Sequence, residues 1–323
     1  MSWAATARSL RGVPDAALVR SGAERAILRV QLERAGSEAL VEAEIRAAGR
    51  NRVQLNRKPL PRLRDLAAHL RVTVFAPDDV QLVKGGPSER RAYLDDLLVA
   101  VAPRFAATRA DVERIVRHRN TLLRGGVRSE EDRTTLAVFD EQLARAGGEM
   151  VRGRLRLVAR LGPEVDASYR ALAREDPGVE VGYESEWAGE DPGALEDRLR
   201  EALGARRRAE LERGVTLAGP HRDELRLGLG GLDARSHASQ GEQRTLALAL
   251  RLAGHRVCTD VVGEEPVLLL DDVFSELDPG RAAALVEHLP PGQTLLTSAG
   301  IVPDGIVPQC RLRVTHGRLE EVA

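Results

Sequence analysis

The 323-residue sequence has little cysteine, few aromatic residues and no long apolar run. Its two cysteines, Cys258 and Cys310, cannot form a disulfide framework, so we expect a reducing, cytoplasmic location. Nine aromatic residues leave little surface on which the bases of single-stranded nucleic acid could stack. Apolar runs such as Val267–Leu270 are too short to cross a bilayer, and we expect no membrane partner.

Lysine is almost absent as well. Only Lys58 and Lys84 among the 48 basic residues are lysines, and the rest are arginines, as is typical of a GC-rich genome. A phosphate-binding loop of the Walker A type, G-x-x-x-x-G-K-[ST], needs a lysine directly after a glycine. Lys58 follows Arg57 and Lys84 follows Val83, so the 323 residues contain no Walker A loop. The formal net charge of −1 does not by itself indicate a nucleic-acid partner.

The pattern of apolar residues divides the chain into three segments. Alternating patterns around Leu28–Leu32 and Val41–Ile45 predict antiparallel strands, and Val72–Phe75 predicts a buried strand. Helical periodicity runs from about residue 88 to Gly214, and strands then alternate with helices. We therefore predict an α/β fold in which one domain, residues 1–76 and 215–323, is divided by an all-helical insertion at 77–214.

Two carboxylates follow the apolar run that begins at Val267. As a Walker B strand, this run would deliver Asp271 to the water shell of Mg²⁺ and Asp272 to an attacking water. The alternative is a core strand whose aspartates cap the next loop. The pattern alone does not decide between them.

A second pattern, Ser239–Gln243, lies directly before a long helix rich in alanine and leucine. A serine and a glycine at a helix start form an anion site, because unsatisfied N–H groups and the helix dipole point outward. An ordinary capped helix explains the same residues equally well.

The order of these patterns is more specific than either one alone. The serine-glycine turn precedes Asp271 by 32 residues, Ser275–Asp278 follows it, and a predicted strand then ends at Thr297 and Ser298. Asp278 can cap the next helix, and Pro279 suits its first position. This is the order of signature loop, Walker B strand, D-loop and switch in an ABC-type ATPase.

Several stretches carry a closer resemblance. The chain resembles, over essentially its whole length, the RecF family of bacterial DNA replication and repair proteins, which are ABC-type and related to SMC proteins. The stretches that carry the resemblance are Phe75–Arg91, Tyr93–Asp95, His118–Leu123, Thr216–Asp223, Ala238–Arg244 and Leu270–Asp278.

The resemblance implies an ABC-ATPase-like lobe I, a helical lobe II, and a homodimer that forms with ATP and Mg²⁺. Signature residues of one subunit would contact the terminal phosphate of ATP held by the other. Asp272 occupies a position that is glutamate in most ABC ATPases, and its shorter side chain would suit slow hydrolysis. The implied site comprises Ser239, Gln240, Gly241, Glu242 and Gln243 (signature), Asp271 (Mg²⁺, through water), Asp272 (catalytic), Ser275 and Asp278 (D-loop), Thr297 and Ser298 (switch), and Asp78 and Asp79 (Q-loop-like).

The resemblance also implies binding to gapped or single-/double-strand junction DNA. RecO and RecR would then help to load RecA in recombinational repair and the SOS response. The candidate arginines for contacts with DNA phosphates are Arg90, Arg91, Arg206, Arg207 and Arg208. For any one of them taken alone, a solvated helix face is the favoured alternative.

The beginning of the chain carries a further expectation. Ala5–Ser9 resembles the end of the helix that follows the P-loop in this family. We therefore expect that the start codon has been assigned too late or that the sequence is truncated at its N-terminus. The alternative is a nucleotide-free scaffold that binds DNA or RecR without ATP.

Overall fold

The computed structural model describes residues 1–7, 9, 13–34, 36–60, 66, 69–300 and 302–322. Arg8, which belongs to the Ala5–Ser9 stretch, lies outside the described residues. The strands are β1 (Arg25–Arg34), β2 (Ser37–Arg46), β3 (Arg52–Leu55), β4 (Lys58–Pro59), β5 (Val72–Phe75), β6 (Val179–Glu184), β7 (Glu224–Leu229), β8 (Leu232–Asp233), β9 (Val267–Asp271), β10 (Thr294–Thr297), β11 (Arg311–Thr315) and β12 (Arg318–Val322).

The helices of the described residues include one of 44 residues, α5, which forms the axis of the helical segment. Helix α5 packs against α4, α6 and α8. The α-helices are α1 (Ser2–Thr6), α2 (Gln81–Lys84), α3 (Pro87–Val101), α4 (Phe105–Gly125), α5 (Glu130–Ala173), α6 (Leu195–Arg213), α7 (Ala234–His237), α8 (Gln240–Val262) and α9 (Pro279–Glu287), and short 3-10 helices cover Asp15–Leu18, Pro77–Val80 and Val273–Glu276.

The strands predicted from alternation and from apolar runs are confirmed. Strands β1 to β4 form an antiparallel sheet in that order, and β5, β9 and β10 form a parallel sheet with β9 in the centre. Leu268 and Leu270 of β9 are buried, as its apolar composition predicts. Asp271 therefore stands at the carboxyl end of a central parallel strand, where ligands bind in open α/β sheets.

One strand lies inside the segment that was predicted to be all helical. Strand β6 pairs along its whole length with β7, so the segment 77–214 contributes one strand to a sheet shared with residues beyond it. Its alternating Val179, Val181 and Tyr183 are half-buried against the core, whereas Glu180 and Glu184 are exposed. This alternation covers only six residues between two long helices, which explains why the sequence pattern did not reveal the strand.

A continuous apolar core joins the helical segment to the α/β part. Phe75 of β5, Leu161 of α5 and Leu250 of α8 are all buried in the same cluster. A second cluster, around Leu143, Leu195 and Leu199, holds α5 and α6 together. In the described ranges, no helix is both long and apolar enough to cross a membrane.

Candidate functional site

The two carboxylates after β9 are held by the end of β10. The Thr297 hydroxyl donates to Asp271 Oδ1 at 2.6 Å, and the Asp272 backbone N–H donates to the Thr297 carbonyl at 3.0 Å. The predicted switch residue Thr297 thus orients the first aspartate. The predicted Walker B and switch residues are therefore neighbours across adjacent parallel strands.

Asp272 has an unusual backbone conformation. Its φ is 51°, in the left-handed region that non-glycine residues rarely adopt. Its Oδ1 accepts from the Ala299 N–H at 3.3 Å, and its carbonyl accepts from the Ser275 hydroxyl at 2.8 Å. Such backbone strain persists where surrounding structure fixes it, commonly at functional sites. Ser298 instead bonds locally, with its hydroxyl accepting from the Gly300 N–H at 3.1 Å.

The signature residues begin α8 with a capping box. Ser239 Oγ accepts from the Glu242 N–H, and the Glu242 carboxylate accepts from the Ser239 N–H. These hydrogen bonds lower the pKa of Glu242 below its usual value, the side-chain bond with Ser239 contributing most. Gln240 is exposed, whereas buried Gln243 donates to the carbonyls of the preceding helix α7. The predicted signature thus has exposed residues at the start of α8, and its buried Gln243 attaches it to α7.

The D-loop lies beside the signature of the same chain. Asp278 caps α9 by accepting from the Arg281 N–H, as predicted, and its other oxygen pairs with the Arg281 guanidinium at 2.9 Å. A Cβ at Gly241 would lie only 3.0 Å from that guanidinium, so glycine allows the close approach. Arg244 of α8 also pairs with Glu276 at 3.1 Å. Arg244 and Arg281 are therefore site residues that the sequence analysis missed.

The Q-loop-like aspartates have different roles. Asp78 is exposed, but Asp79 is buried and pairs with Arg251 of α8 at 2.6 Å. Its second oxygen accepts from the Ala76 N–H at 2.9 Å. Both Asp79 oxygens therefore have partners within the protein, and a Mg²⁺ or water role for Asp79 remains a prediction. Arg251, which also lies 5.3 Å above the Tyr93 ring, was missed because it is 172 positions from Asp79.

Arg90 and Arg91, predicted to contact DNA, face the protein. Arg90 is 6% exposed, and its guanidinium forms a two-point contact with Glu224 and donates to the carbonyls of Val83 and Gly85. Most of the Arg90 donors are therefore used inside the protein, and its contact with DNA remains a prediction. Arg91 is half-buried and donates to the Asp223 carbonyl at 2.8 Å. Burial lowers the pKa of Arg91.

The three consecutive arginines of α6 all have acidic partners. Arg206 pairs with Glu186 at 2.8 Å, and Arg207 pairs with Asp140. Arg208, the most exposed of the three at 93% of its side chain, pairs with Glu212 one turn away. These carboxylates compete with phosphate, so the geometry favours the solvated-helix alternative over the DNA contacts that the sequence predicted.

The donor set at the end of β9 fits a hard divalent cation. Asp271 supplies a half-buried carboxylate, with further oxygens from Thr297 and Asp272 beside it, and oxygen is the ligand that Mg²⁺ prefers. Among the described residues, no group of three His, Cys, Asp or Glu forms a complete metal site. Magnesium sites commonly use one or two carboxylates and several waters, and Asp271 is the residue here that could hold such a shell.

Comparisons with known proteins decide the family. No protein-family model matches the chain. A DNA replication and repair protein RecF from Kineococcus radiotolerans is 46% identical over 325 residues, covering 94% of this chain and 83% of that protein. A RecF from Streptomyces avermitilis is 44% identical over 333 residues, covering 100% and 89%. The chain belongs to the RecF family. The sequence-based identification is therefore confirmed.

Solved RecF structures confirm the fold class as well. The recombination mediator protein RecF-ATP of the RecFOR pathway matches with a TM-score of 0.91 and 26% identity, covering 100% of this chain and 86% of that one. RecF-ATPrS of the same pathway matches with a TM-score of 0.89 and 26% identity, covering 100% and 87%. The domain boundaries at 76 and 214 remain predictions.

Proposed function

We propose that this RecF-family chain is one subunit of an ATP-dependent DNA clamp. The observation that carries the proposal is the cluster of Asp271, Asp272 and Thr297 at the carboxyl ends of β9 and β10, with the D-loop directly after it. The solved relatives named RecF-ATP and RecF-ATPrS support ATP as the nucleotide.

Each residue of the cluster would act through the chemistry of its own atoms. Asp271, oriented by the Thr297 hydroxyl, would hold the water shell of Mg²⁺. Asp272 would accept a proton from the attacking water, and the Ala299 N–H would keep its carboxylate in place. Ser239 and Gly241 would contact the terminal phosphate bound by a second subunit, at the exposed start of α8.

The biological role follows the family. The proposed partners are gapped or single-/double-strand junction DNA, RecO and RecR, and the outcome is RecA loading in recombinational repair and the SOS response. The relatives are named DNA replication and repair proteins, and the solved ones are assigned to the RecFOR pathway, which supports this role.

The test is the variant Asp272→Asn of the protein as expressed from its gene. The amide keeps the shape of the side chain but cannot accept a proton, so ATP hydrolysis should fall about 100-fold. ATP should also hold the variant as a dimer in sedimentation velocity. Asp260→Asn, an exposed change on α8, is the matched control and should behave like the wild type. Wild-type hydrolysis by Asp272→Asn, or sedimentation that ATP leaves unchanged, would contradict the proposal.

A nucleotide-free scaffold that binds DNA or RecR without ATP is the second candidate function. Intact mass spectrometry of the protein from its source cell separates the two. A mass well above 35.1 kDa, with upstream peptides that contain a GK[ST] loop, would favour the ATPase. A mass of 35.1 kDa together with DNA or RecR binding that ignores ATP would favour the scaffold.

A further inference from the structure

Helix α4 ends in a basic stretch that none of the predicted DNA contacts uses. From Arg114 to Ser129 the sequence contains five arginines and one histidine but no acidic residue. The stretch includes the family-like segment His118–Leu123, to which neither the ATPase chemistry nor the DNA prediction assigned a role. Its arginines are therefore candidates for a ligand of negative charge.

The arginines of α4 lie on two faces. Side chains three and four positions apart share a face of a helix, so Arg114, Arg117, Thr121 and Arg124 form one strip, here called the outer strip. All four are exposed. The opposite face is buried and includes Val112, Ile115, Arg119 and Leu123. The outer strip therefore points away from the protein core.

Two arginines of the outer strip have no acidic partner. Arg114 pairs with Asp111 at 3.1 Å. For Arg117 and Arg124, the described part of the chain places no carboxylate within 4.0 Å of either guanidinium, and Arg124 donates only to the Asn120 carbonyl at 3.2 Å. This distinguishes them from Arg206, Arg207 and Arg208, whose guanidinium groups are all paired with carboxylates.

The end of α6 adds Arg213, a third exposed arginine with no carboxylate within 4.0 Å among the described residues. The next residue, Gly214, has a φ of 66° and lies so close to Arg124 that a Cβ there would be 2.9 Å from Arg124 Cγ. The nearest acidic residues along α6 are engaged, since Glu210 pairs with Arg119 and Glu212 with Arg208.

We propose that Arg117, Arg124 and Arg213 bind the phosphodiester backbone of DNA, an inference that rests on the proposed DNA-binding function. Arg117 and Arg124 are seven positions apart on the helix, about 10 Å along its axis, which matches about three nucleotides of one strand. Guanidinium groups contact phosphate oxygens with two parallel hydrogen bonds. Backbone contacts of this kind position a protein on DNA without reading its sequence.

The surroundings favour DNA over an acidic protein partner. Protein interfaces have an apolar and aromatic centre, but none of the exposed large apolar side chains of the described residues lies on α4. The outer strip carries no aromatic residue either, so it offers no platform for unpaired bases. A backbone-binding surface needs neither feature.

The experiment compares two double variants that each lose two positive charges. Arg117→Gln with Arg124→Gln removes the unpaired arginines of the outer strip. Arg133→Gln with Arg226→Gln is the control, because these arginines are also exposed but are paired with Glu130 and Glu184. Fluorescence anisotropy would follow binding to a labelled duplex and to a gapped duplex between 50 and 200 mM salt, with and without ATP.

Each lost phosphate contact lowers the slope of log affinity against log salt by roughly 0.9 on duplex DNA. In the outer-strip variant, the negative slope of log affinity against log salt should therefore become shallower by about 2. The change should be the same for duplexes of different sequence, whereas the control keeps the wild-type slope. Melting temperatures equal to the wild type would show that both variants are folded. Wild-type affinity and slope in the outer-strip variant would overturn the assignment and leave the proposed function intact. If the wild-type protein binds neither the duplex nor the gapped duplex, the proposed function is refuted, and the assignment of these arginines is refuted as well.

Discussion

The two faces of α4 use the same residue type in opposite ways. Arg119 is completely buried, and its guanidinium contacts Asp140 at 2.8 Å, Glu210 at 2.5 Å and the Thr216 hydroxyl at 3.0 Å. Arg117, two residues earlier, is exposed and has no carboxylate within 4.0 Å in the described chain. In a chain this rich in arginine, burial and pairing therefore decide which arginines can meet a ligand.

The buried face shows why such an arginine is stable there. A buried charge is costly unless it is paired and its donors are satisfied. Arg119 meets both conditions and joins α4, α5 and α6 in one contact, while Asn120 accepts from the Thr216 N–H and hydroxyl. Arg154 is the equivalent tie between α5 and α3, with a two-point contact to Asp95.

The largest expected effect comes from removing the ion pairs of Arg119 on the buried face of α4. Arg119→Met keeps much of the side-chain volume but leaves the carboxylates of Asp140 and Glu210 without their main partner. Removing one member of a buried ion pair costs about 3–5 kcal/mol, and the free energy of unfolding should fall by that amount in urea denaturation. A loss below 1 kcal/mol would show that Arg119 is not the tie that its contacts suggest.

A smaller effect on the free energy of unfolding is expected from a change of pH, because the side chain of His221 is largely buried. Burial lowers the pKa of His221 to about 4, against the opposing hydrogen bond to the Thr216 carbonyl. The unfolded chain binds a proton below pH 6.5 and the folded chain only near pH 4, so stability is complete above pH 6.5 and falls as the pH drops toward 4. His221→Gln should remove up to about 3 kcal/mol of this acid-induced loss, as measured by urea denaturation at several pH values.

The matched control for that pH series is His237→Gln, because His237 is exposed on α7. This variant should keep the acid-induced loss of the wild type. If His221→Gln loses as much stability between pH 6.5 and 4 as the wild type, His221 is not the group responsible. His255, whose pKa burial also lowers to about 4, would then be tested in the same way.

An intermediate case between the two faces is Arg90, which is buried while its partner Glu224 is partly exposed. Arg90→Gln should cost about 2 kcal/mol, because water can solvate the carboxylate that remains. Its salt dependence of DNA binding should stay that of the wild type, measured by anisotropy on the folded protein. A reduced salt slope would support the sequence-based prediction that Arg90 contacts phosphate.

The smallest effect is expected on the exposed face. Arg117→Gln should change the free energy of unfolding by less than about 0.5 kcal/mol, since it breaks no ion pair among the described residues. Urea denaturation beside Arg119→Met gives the contrast directly. A cost comparable to that of Arg119→Met would mean that Arg117 has a structural role, and the ligand-binding interpretation of the outer strip would lose its basis.

The sequence predicted those features whose physics is local. The Ser239–Glu242 capping box and the Asp278 cap before Pro279 lie within four residues, so the motif and its structure coincide. The alternation of strand and helix patterns likewise predicted the α/β fold, and the resemblance of particular stretches predicted the family.

Long-range contacts could not be predicted in the same way. Arg90 meets Glu224 134 positions later, and Arg251 meets Asp79 at a separation of 172. In one sequence nothing distinguishes these arginines from solvated ones, because their roles depend on how helices pack. The same holds for the hydrogen bond from the Thr297 hydroxyl to Asp271, which joins residues 26 positions apart.

The central claim is that buried, paired arginines stabilise the fold whereas exposed, unpaired ones bind DNA. Arginine footprinting by mass spectrometry tests this claim most directly. A dicarbonyl reagent would be applied to the wild-type protein with and without duplex DNA. Without DNA, Arg117 and Arg124 should react while Arg90, Arg119 and Arg154 do not, and DNA should protect the first two. Modification of the three buried arginines in the folded protein, or an unchanged reaction of Arg117 and Arg124 under saturating DNA, would contradict this distinction between buried and exposed arginines.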